Sequence, residues 1–575
     1  MNEYIKTLKL LEKRFFRQFI FSNFLISIGS FFELLSIGLI IPLFYFLQDI
    51  ENNISKINNY VGFNLVPDDS DRTMLVLILV FLFLFFYFVR SIYLIFIFIY
   101  TRKFSNNHEQ FLSEKVYSNY VRSDFIESTN KDRSKTFRNI HEVVAHTACL
   151  QSILVLNQEI LTFFFIFSGI FIIDIKIGIS LLTLSVILIL FFNFFTKKKL
   201  KFLGEKKREL ESQNFRNVLD ALGSLKEIKI FQKENFFIAE FVKLKNIVLN
   251  NKFKQDLFSF FPKYLIELFI LSAFVFYFVF TYLELKDLNV VIPKIIFLIM
   301  AAFRVLPGIN RIIINSQTLR TNSATIVNIY TEKLQSKKIK FFNKDKAFTF
   351  KNELNLQKVN LEYSSGNTIL ENINIRIQKG DILGIYGASG SGKTTLINLF
   401  LGLLKPTSGS ILIDNKYDLF ENSSTWHKFI SFVPQKIFMK NDSITNNIAF
   451  AVEGDLIDEK KVNFLIKLCN LNNFVENKRK ADQIFVGDDA NKISGGQAQR
   501  IGIARGLYKN PEVLILDEAT NNLDEQNEQE ILLKIKDLFK KEKKTAIIVS
   551  HNHEILKLNC DYIFKLTNGK IENIK

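Results

Sequence analysis

Six long apolar stretches, all before residue 315, constrain this chain more than any other feature. They run 19–47, 74–100, 153–173, 177–195, 264–282 and 292–314. The first holds one charged residue, Glu33, and the second one, Arg90. A helix of about 20 apolar residues crosses a bilayer core about 30 Å thick. These runs are too long and too uniformly apolar for the buried helices of a soluble core. Six membrane spans are therefore expected. The 62 Phe and a mean hydropathy of +0.15 agree with this.

The net charge of +17 would suggest nucleic acid in a soluble protein. Here the basic residues flank the spans. Lys6, Lys9, Lys13, Arg14 and Arg17 precede the first, Arg102 and Lys103 follow the second, and Lys197, Lys198, Lys199 and Lys201 follow the fourth. The loops on the other side are short or acidic. Positive residues stay on the cytoplasmic side, so both termini are expected there and no nucleic-acid partner is needed. The first run is too long for a signal-peptide core and lacks a small-residue cleavage site. Cys149, Cys469 and Cys560 stand in no ligand spacing, so neither a disulfide framework nor a zinc site is expected.

The chain divides into three regions by composition. Residues 1–320 form a helical membrane domain. Its long polar excursions, 101–151 and 196–261, keep a helical period, so spans two to five are expected to continue as helices into the cytoplasm. Whether these extensions touch the C-terminal region or stay solvated is left open by the pattern. Residues 321–347 are polar and Lys-rich and are expected as a linker. Residues 348–575 alternate strand and helix patterns with Gly punctuation, which marks an α/β domain.

In that domain a strand pattern at 381–386 leads into Gly387-Ala388-Ser389-Gly390-Ser391-Gly392-Lys393-Thr394, with Thr395 opening a helical run. This is the P-loop pattern in its strand–loop–helix setting. Backbone N–H groups of such a loop close around phosphates, and the helix N-terminus adds positive potential. Lys393 is expected to reach the β- and γ-phosphates of ATP and Thr394 to ligate Mg²⁺. A second apolar strand, 513–516, ends in Asp517-Glu518. There Asp517 is placed to hold Mg²⁺ and Glu518 to polarise the attacking water.

Between these motifs, Ile493-Ser494-Gly495-Gly496-Gln497-Ala498-Gln499-Arg500 resembles the signature of ATP-binding cassette (ABC) proteins. The resemblance extends along the whole domain. It implies that Tyr363 stacks on adenine, that Gln435 serves catalysis and Mg²⁺ in the Q-loop, and that His551 is the switch histidine. It places Asp524 in the D-loop, where Asn521 and Asn522 depart from the usual residues. It likens 485–488 to the segment that exporters use to contact cytoplasmic loops, with Asp488 where Glu is commoner. It further implies that Ser494, Gly495, Gly496 and Gln497 cap an ATP held by the P-loop of a second subunit. One chain has one of each, so two must meet. A homodimer is the simplest form, and a heterodimer stays open.

Six spans before one cassette resemble a type I exporter (type IV) half-transporter. The fold class is then an α-helical membrane domain plus an α/β P-loop ABC nucleotide-binding domain. Glu33, Arg90 and Arg304 lie inside spans and Lys263 near the start of span five. Intramembrane charges either line a cavity or pair with one another, and both readings stand here. A cluster of cations suits a phosphate or pyrophosphate. The segments 33–42, 225–229 and 301–311 are similar to the PglK-type lipid-linked oligosaccharide flippase family. That resemblance implies a polyprenyl-pyrophosphate-linked saccharide as substrate, Arg90, Arg304 and Lys263 as its cations, and a short external helix at 55–63. A bacterial inner membrane is the expected location. Two alternatives remain: export of another amphiphile (a phospholipid, lipid A precursor, peptide or drug), and an ATP-gated channel. Intact Glu518 and His551 argue against the channel.

Overall fold

The computed structural model describes residues 3–38, 72–129, 133–173, 175–285, 288–336, 348–362, 368–476, 484–487 and 492–574. Tyr363, Asp488 and the expected external helix at 55–63 lie outside them. The chain divides into two compact units, Met1–Ser123 with Asn130–Ile339, and Asp124–Thr129 with Lys340–Lys575.

The first unit is helical. Its main helices are Lys13–Gly38, Arg72–Val121, Val143–Ile173, Ile175–Gly223, Glu234–Leu285 and Leu288–Thr321. Each apolar stretch falls on one of them, the first as far as Gly38. Among the described residues three segments are long and apolar enough to cross a membrane: Lys13–Ser36, Val80–Val121 and Thr136–Phe171. Arg72–Val121, Ile175–Gly223 and Glu234–Leu285 have 50, 49 and 52 residues. At 1.5 Å per residue each is about 75 Å long, far more than a bilayer core needs. They therefore run on beyond their apolar stretches.

Packing obeys the helical period. Phe15, Phe19 and Ile26 meet Ile97 and Phe104 of Arg72–Val121, and Leu150 and Ile153 of Val143–Ile173. Val305, Ile309 and Ile313, spaced by four, pack against Ile166, Phe167 and Ile170. The close approach of Ile175–Gly223 to Leu288–Thr321 depends on Gly204. A Cβ there would stand 2.1 Å from the Thr321 carbonyl oxygen. Phe81, Phe85, Phe88 and Phe98 remain exposed, an apolar face suited to lipid.

The segment expected as a linker differs. Its first part is a helix, Ser323–Ser336, that packs on the N-terminal helix Glu3–Leu10. Ile326 and Ile329, one turn apart, are both buried. The polar residues around them belong to the solvated face of an amphipathic helix, and this hid the helical period.

The second unit holds two sheets. One is four-stranded and antiparallel, made of β1 (Glu353–Glu362), β2 (Thr368–Gln378), β4 (Ser408–Ile413) and β5 (Tyr417–Asp418) in the order β2-β1-β4-β5. The other contains β3 (Ile382–Gly387), β6 (Ile430–Val433), β7 (Val513–Asp517), β8 (Thr545–Val549), β9 (Tyr562–Thr567) and β10 (Lys570–Asn573), ordered β10-β9-β3-β8-β7-β6. It is parallel except for the β9–β10 pair. Parallel strands covered on both faces are apolar throughout. Here alternate residues feed two cores. Leu514, Leu516, Ala546 and Ile548 enter one, and Val513, Ile515, Ile547 and Val549 the other.

Candidate nucleotide site and membrane charge pairs

Parallel strands end on one edge of their sheet, and that edge is where open α/β sheets bind ligands. Here β3, β8, β7 and β6 are successive neighbours. Their carboxyl ends lead into the P-loop, Ser550-His551, Asp517-Glu518 and Pro434-Gln435 respectively. Topology alone therefore gathers four segments that are far apart in sequence.

The P-loop follows β3 and opens the helix Lys393–Phe400. Gly390 and Gly392 have φ of 79° and 105°, in the left-handed region that favours glycine. Gly387 is required for another reason: a Cβ there would lie 2.5 Å from the Leu566 carbonyl oxygen. Lys393 is buried, and its Nζ donates to the carbonyls of Gly387 at 2.8 Å and Ala388 at 3.0 Å. The same ammonium is 3.7 Å from Glu518. Ser391 Oγ is buried with no hydrogen-bond partner, a polar atom facing a cradle shaped for a polar ligand.

Glu518 is the centre of the arrangement. It is buried and has a φ of 49°, a strained backbone for a residue with a Cβ. Its Oε2 accepts hydrogen bonds from Gln435 Nε2 at 2.6 Å and Asn521 Nδ2 at 3.2 Å. Its Oε1 lies 2.6 Å from His551 Nε2. Burial, and then the neighbouring Glu518 charge, push the Asp517 carboxyl up to about 6, against the opposing pull of Lys393. A cation beside Asp517 would relieve both effects. Thr394, Gln435 and Asp517 offer only oxygen donors, the set that a hard ion such as Mg²⁺ takes.

The signature residues start the helix Gly495–Tyr508. Ser494 caps it. Its Oγ accepts from Gln497 N at 3.2 Å, while Gln497 Oε1 accepts from Ser494 N at 2.9 Å. This reciprocal pair fixes the first turn. Gly495 and Gly496 lie against Asn522, and Asn522 N donates to Gln499 Oε1 at 2.9 Å. Asp524 caps the helix Glu525–Glu542. Hydrogen bonds from Asn527 hold its carboxyl below the usual range.

Sequence reasoning missed two junctions here. Asn470 (φ 54°) accepts from Arg500 through its carbonyl at 2.9 Å. Its side chain donates to Glu530 at 2.7 Å and accepts from Lys534 at 2.7 Å. Arg505 donates to the carbonyls of Asn447 at 2.7 Å and Phe438 at 2.8 Å, and to Asn447 Oδ1 at 3.0 Å. It ties the signature helix to the segment after Gln435. Neither residue belongs to a motif.

In the membrane unit Glu33 is buried and pairs with Arg90 at 3.6 Å, the internal pairing that the charge pattern left open. Lys263 is exposed, with Nζ 5.6 Å from the Tyr264 ring centre. Arg304 lies on Leu288–Thr321, its side chain outside the described residues. A further pair was overlooked: Arg311 Nε donates to Glu159 at 2.6 Å. The signal was available, since Glu159 is a lone acid within the 153–173 stretch.

Comparison with known proteins agrees with this arrangement. A family model described as ABC transporter matches residues 370–521. The ATP-dependent lipid A-core flippase of Ralstonia nicotianae is 34% identical over 221 residues, covering 38% of this chain and 37% of that protein. The alpha-hemolysin translocation ATP-binding protein HlyB of Escherichia coli is 38% identical over 204 residues, covering 35% of this chain and 28% of that protein. The matches thus span only 28–37% of the length of these curated relatives. A bacterial Atm1-family ABC exporter with ATP bound superposes with a TM-score of 0.77 at 19% identity, over 97% of this chain and 95% of that one. The fold is that of an ABC exporter: a helical N-terminal domain and an α/β ABC nucleotide-binding domain.

Proposed function

We propose that this chain is one half of a homodimeric transporter that couples ATP hydrolysis to export of an amphiphile across a bacterial inner membrane. The observation that carries the ATPase reading is the convergence of Gln435, His551 and Lys393 on the buried carboxylate of Glu518. A carboxylate held at both oxygens is oriented to take a proton from an attacking water. Lys393 and the P-loop N–H groups bind the β- and γ-phosphates. Thr394, Gln435 and Asp517 would hold Mg²⁺, which supplies charge neutralisation on those phosphates. Ser494 and its glycines serve the ATP of the second copy, and Tyr363 stacks on its own adenine.

The substrate reading is a lipid that carries a phosphate or pyrophosphate, of the lipid-linked saccharide type. Its support is the set of arginines on apolar helices, Arg90, Arg304 and Arg311, since Arg binds such groups bidentately. A second reading, a lipid A-core type amphiphile, is favoured by the names of the relatives. Lipids that co-purify with the Glu518→Gln variant separate the two by mass spectrometry. A polyprenyl-pyrophosphate saccharide supports the first, and a lipid A species the second. Phospholipid alone overturns both.

A further inference from the structure

Glu159 is a buried acid within an apolar stretch that the proposed cycle leaves unused. Its side chain is 2% exposed, and Oε1 accepts from Arg311 Nε at 2.6 Å. Oε2 is buried with no hydrogen-bond partner. Gly308 makes room for that oxygen, since a Cβ there would stand 2.8 Å away. Arg311 is placed differently: 41% of its side chain is exposed. A guanidinium has five donors, and Nε is the one given to Glu159. The outer edge of the fork is open to another anion.

Position adds to this. Glu159 is six residues past Ile153, about 9 Å into its apolar stretch at 1.5 Å per residue. Arg311 is three residues before the end of its own stretch at 314, about 4.5 Å in by the same rise. The positive-inside reading puts both of these ends on the cytoplasmic side. Three residues beyond Glu159, Thr162 Oγ1 reaches Ser30 Oγ at 3.1 Å and Glu33 Oε2 at 3.3 Å, where Glu33 pairs with Arg90. One helix, Val143–Ile173, thus carries a shallow acid–base pair and leads to a deeper one.

We propose that Glu159 is a positioning residue that makes Arg311 selective for dianionic headgroups. The inference rests on the reading that the substrate is a phosphate-bearing lipid. An unpaired Arg at this depth would attract every phosphodiester lipid of the membrane. With Glu159 in place, a singly charged phosphodiester gains little: it replaces one negative charge by another and leaves the buried carboxylate uncompensated. A pyrophosphate or phosphomonoester offers the fork the same pair of acceptor oxygens as a phosphodiester but brings a second negative charge. It alone displaces Glu159 or shares Arg311 with it.

The test uses the full-length protein in neutral-lipid nanodiscs, with phosphatidylglycerol and a polyprenyl pyrophosphate as probes. The readouts are bound lipid by mass spectrometry and lipid-stimulated ATPase. In the wild type, polyprenyl pyrophosphate binds and excess phosphatidylglycerol does not compete. Glu159→Gln is expected to retain about five- to tenfold more phosphatidylglycerol, the size of a typical coupling between sites. The half-stimulating pyrophosphate concentration rises in parallel when phosphatidylglycerol is present. Adding Arg311→Gln abolishes the gain. Glu159→Asp keeps the charge but withdraws it by one methylene, so a smaller change of the same sign is expected even if the amide variant fails to fold. Unchanged phosphatidylglycerol retention in both Glu159 variants overturns the inference, as does a gain that survives Arg311→Gln. A gain that depends on Arg311, in a protein that never binds the pyrophosphate, upholds the role of Glu159 and overturns the substrate reading instead.

Discussion

His551 Nε2 lies 2.6 Å from Glu518 Oε1, on the side of the carboxylate opposite to Gln435. The two residues end neighbouring regions of one parallel sheet, so the contact is set by backbone topology. If they act as one unit, their removal is non-additive. Glu518→Gln is expected to lower kcat for ATP hydrolysis by about 10²–10³-fold and His551→Ala by about 10²-fold, the range for a lost proton-transfer group. The double variant should be little worse than Glu518→Gln. Steady-state ATPase with nucleotide binding measured in parallel checks this, and binding should survive in all three.

Asp517 gives a pH dependence of definite sign. Its folded-state carboxyl is raised to about 6 from an ordinary 3.8. Between these values the folded state binds the extra proton, so stability falls as pH rises through that window. Without Mg-nucleotide, thermal melting should therefore show this contribution fully present below about pH 4 and lost above about pH 6. Asp517→Asn should melt higher than the wild type at pH 7.5 and lose most of the stabilisation that Mg-ATP confers. A lower melting point for the variant in the absence of ligand would contradict the burial argument.

Gly204 tests the membrane unit. The obstacle to a side chain there is the Thr321 backbone, which no rotamer change can move. Gly204→Ala is expected to cost about 1–3 kcal/mol, as overpacking does. The readout is a lowered melting temperature in detergent with ATP affinity of the folded fraction unchanged.

Arg505 is half-buried and makes its three hydrogen bonds to oxygen acceptors at 2.7–3.0 Å. Arg505→Ala should destabilise the nucleotide domain by about 2–4 kcal/mol, since it strips charged donors from the buried Asn447 and from the Phe438 carbonyl. Arg505→Lys should recover less than half, because an ammonium cannot span the same fork. Chemical denaturation of the full chain measures both.

The candidate nucleotide site was legible as a set of motifs because its residues sit in short runs at strand ends, where spacing within each motif is set by backbone geometry. Gly387–Thr394, Asp517-Glu518 and the residue pair Ser494–Gln497 could each be named before any coordinates. The junctions were not legible. Asn470 and Arg505 act through carbonyls and through residues distant in sequence, and nothing in their neighbourhood marks them. Ser323–Ser336 was lost because two buried isoleucines are a weak signal among polar residues. In the spans, charge was visible but pairing was not. Glu33 and Arg90 are 57 positions apart, and only the helix packing brings them to 3.6 Å.

The Asn470 junction has a mechanical meaning. It clamps Arg500 of the signature helix to Glu530 and Lys534 of the helix that begins at Asp524. The two helices are thereby bolted into a single lever, with Ser494 at the tip of one arm and Asp524 at the tip of the other. A tilt of either arm is therefore expected to carry both tips together without a change in secondary structure.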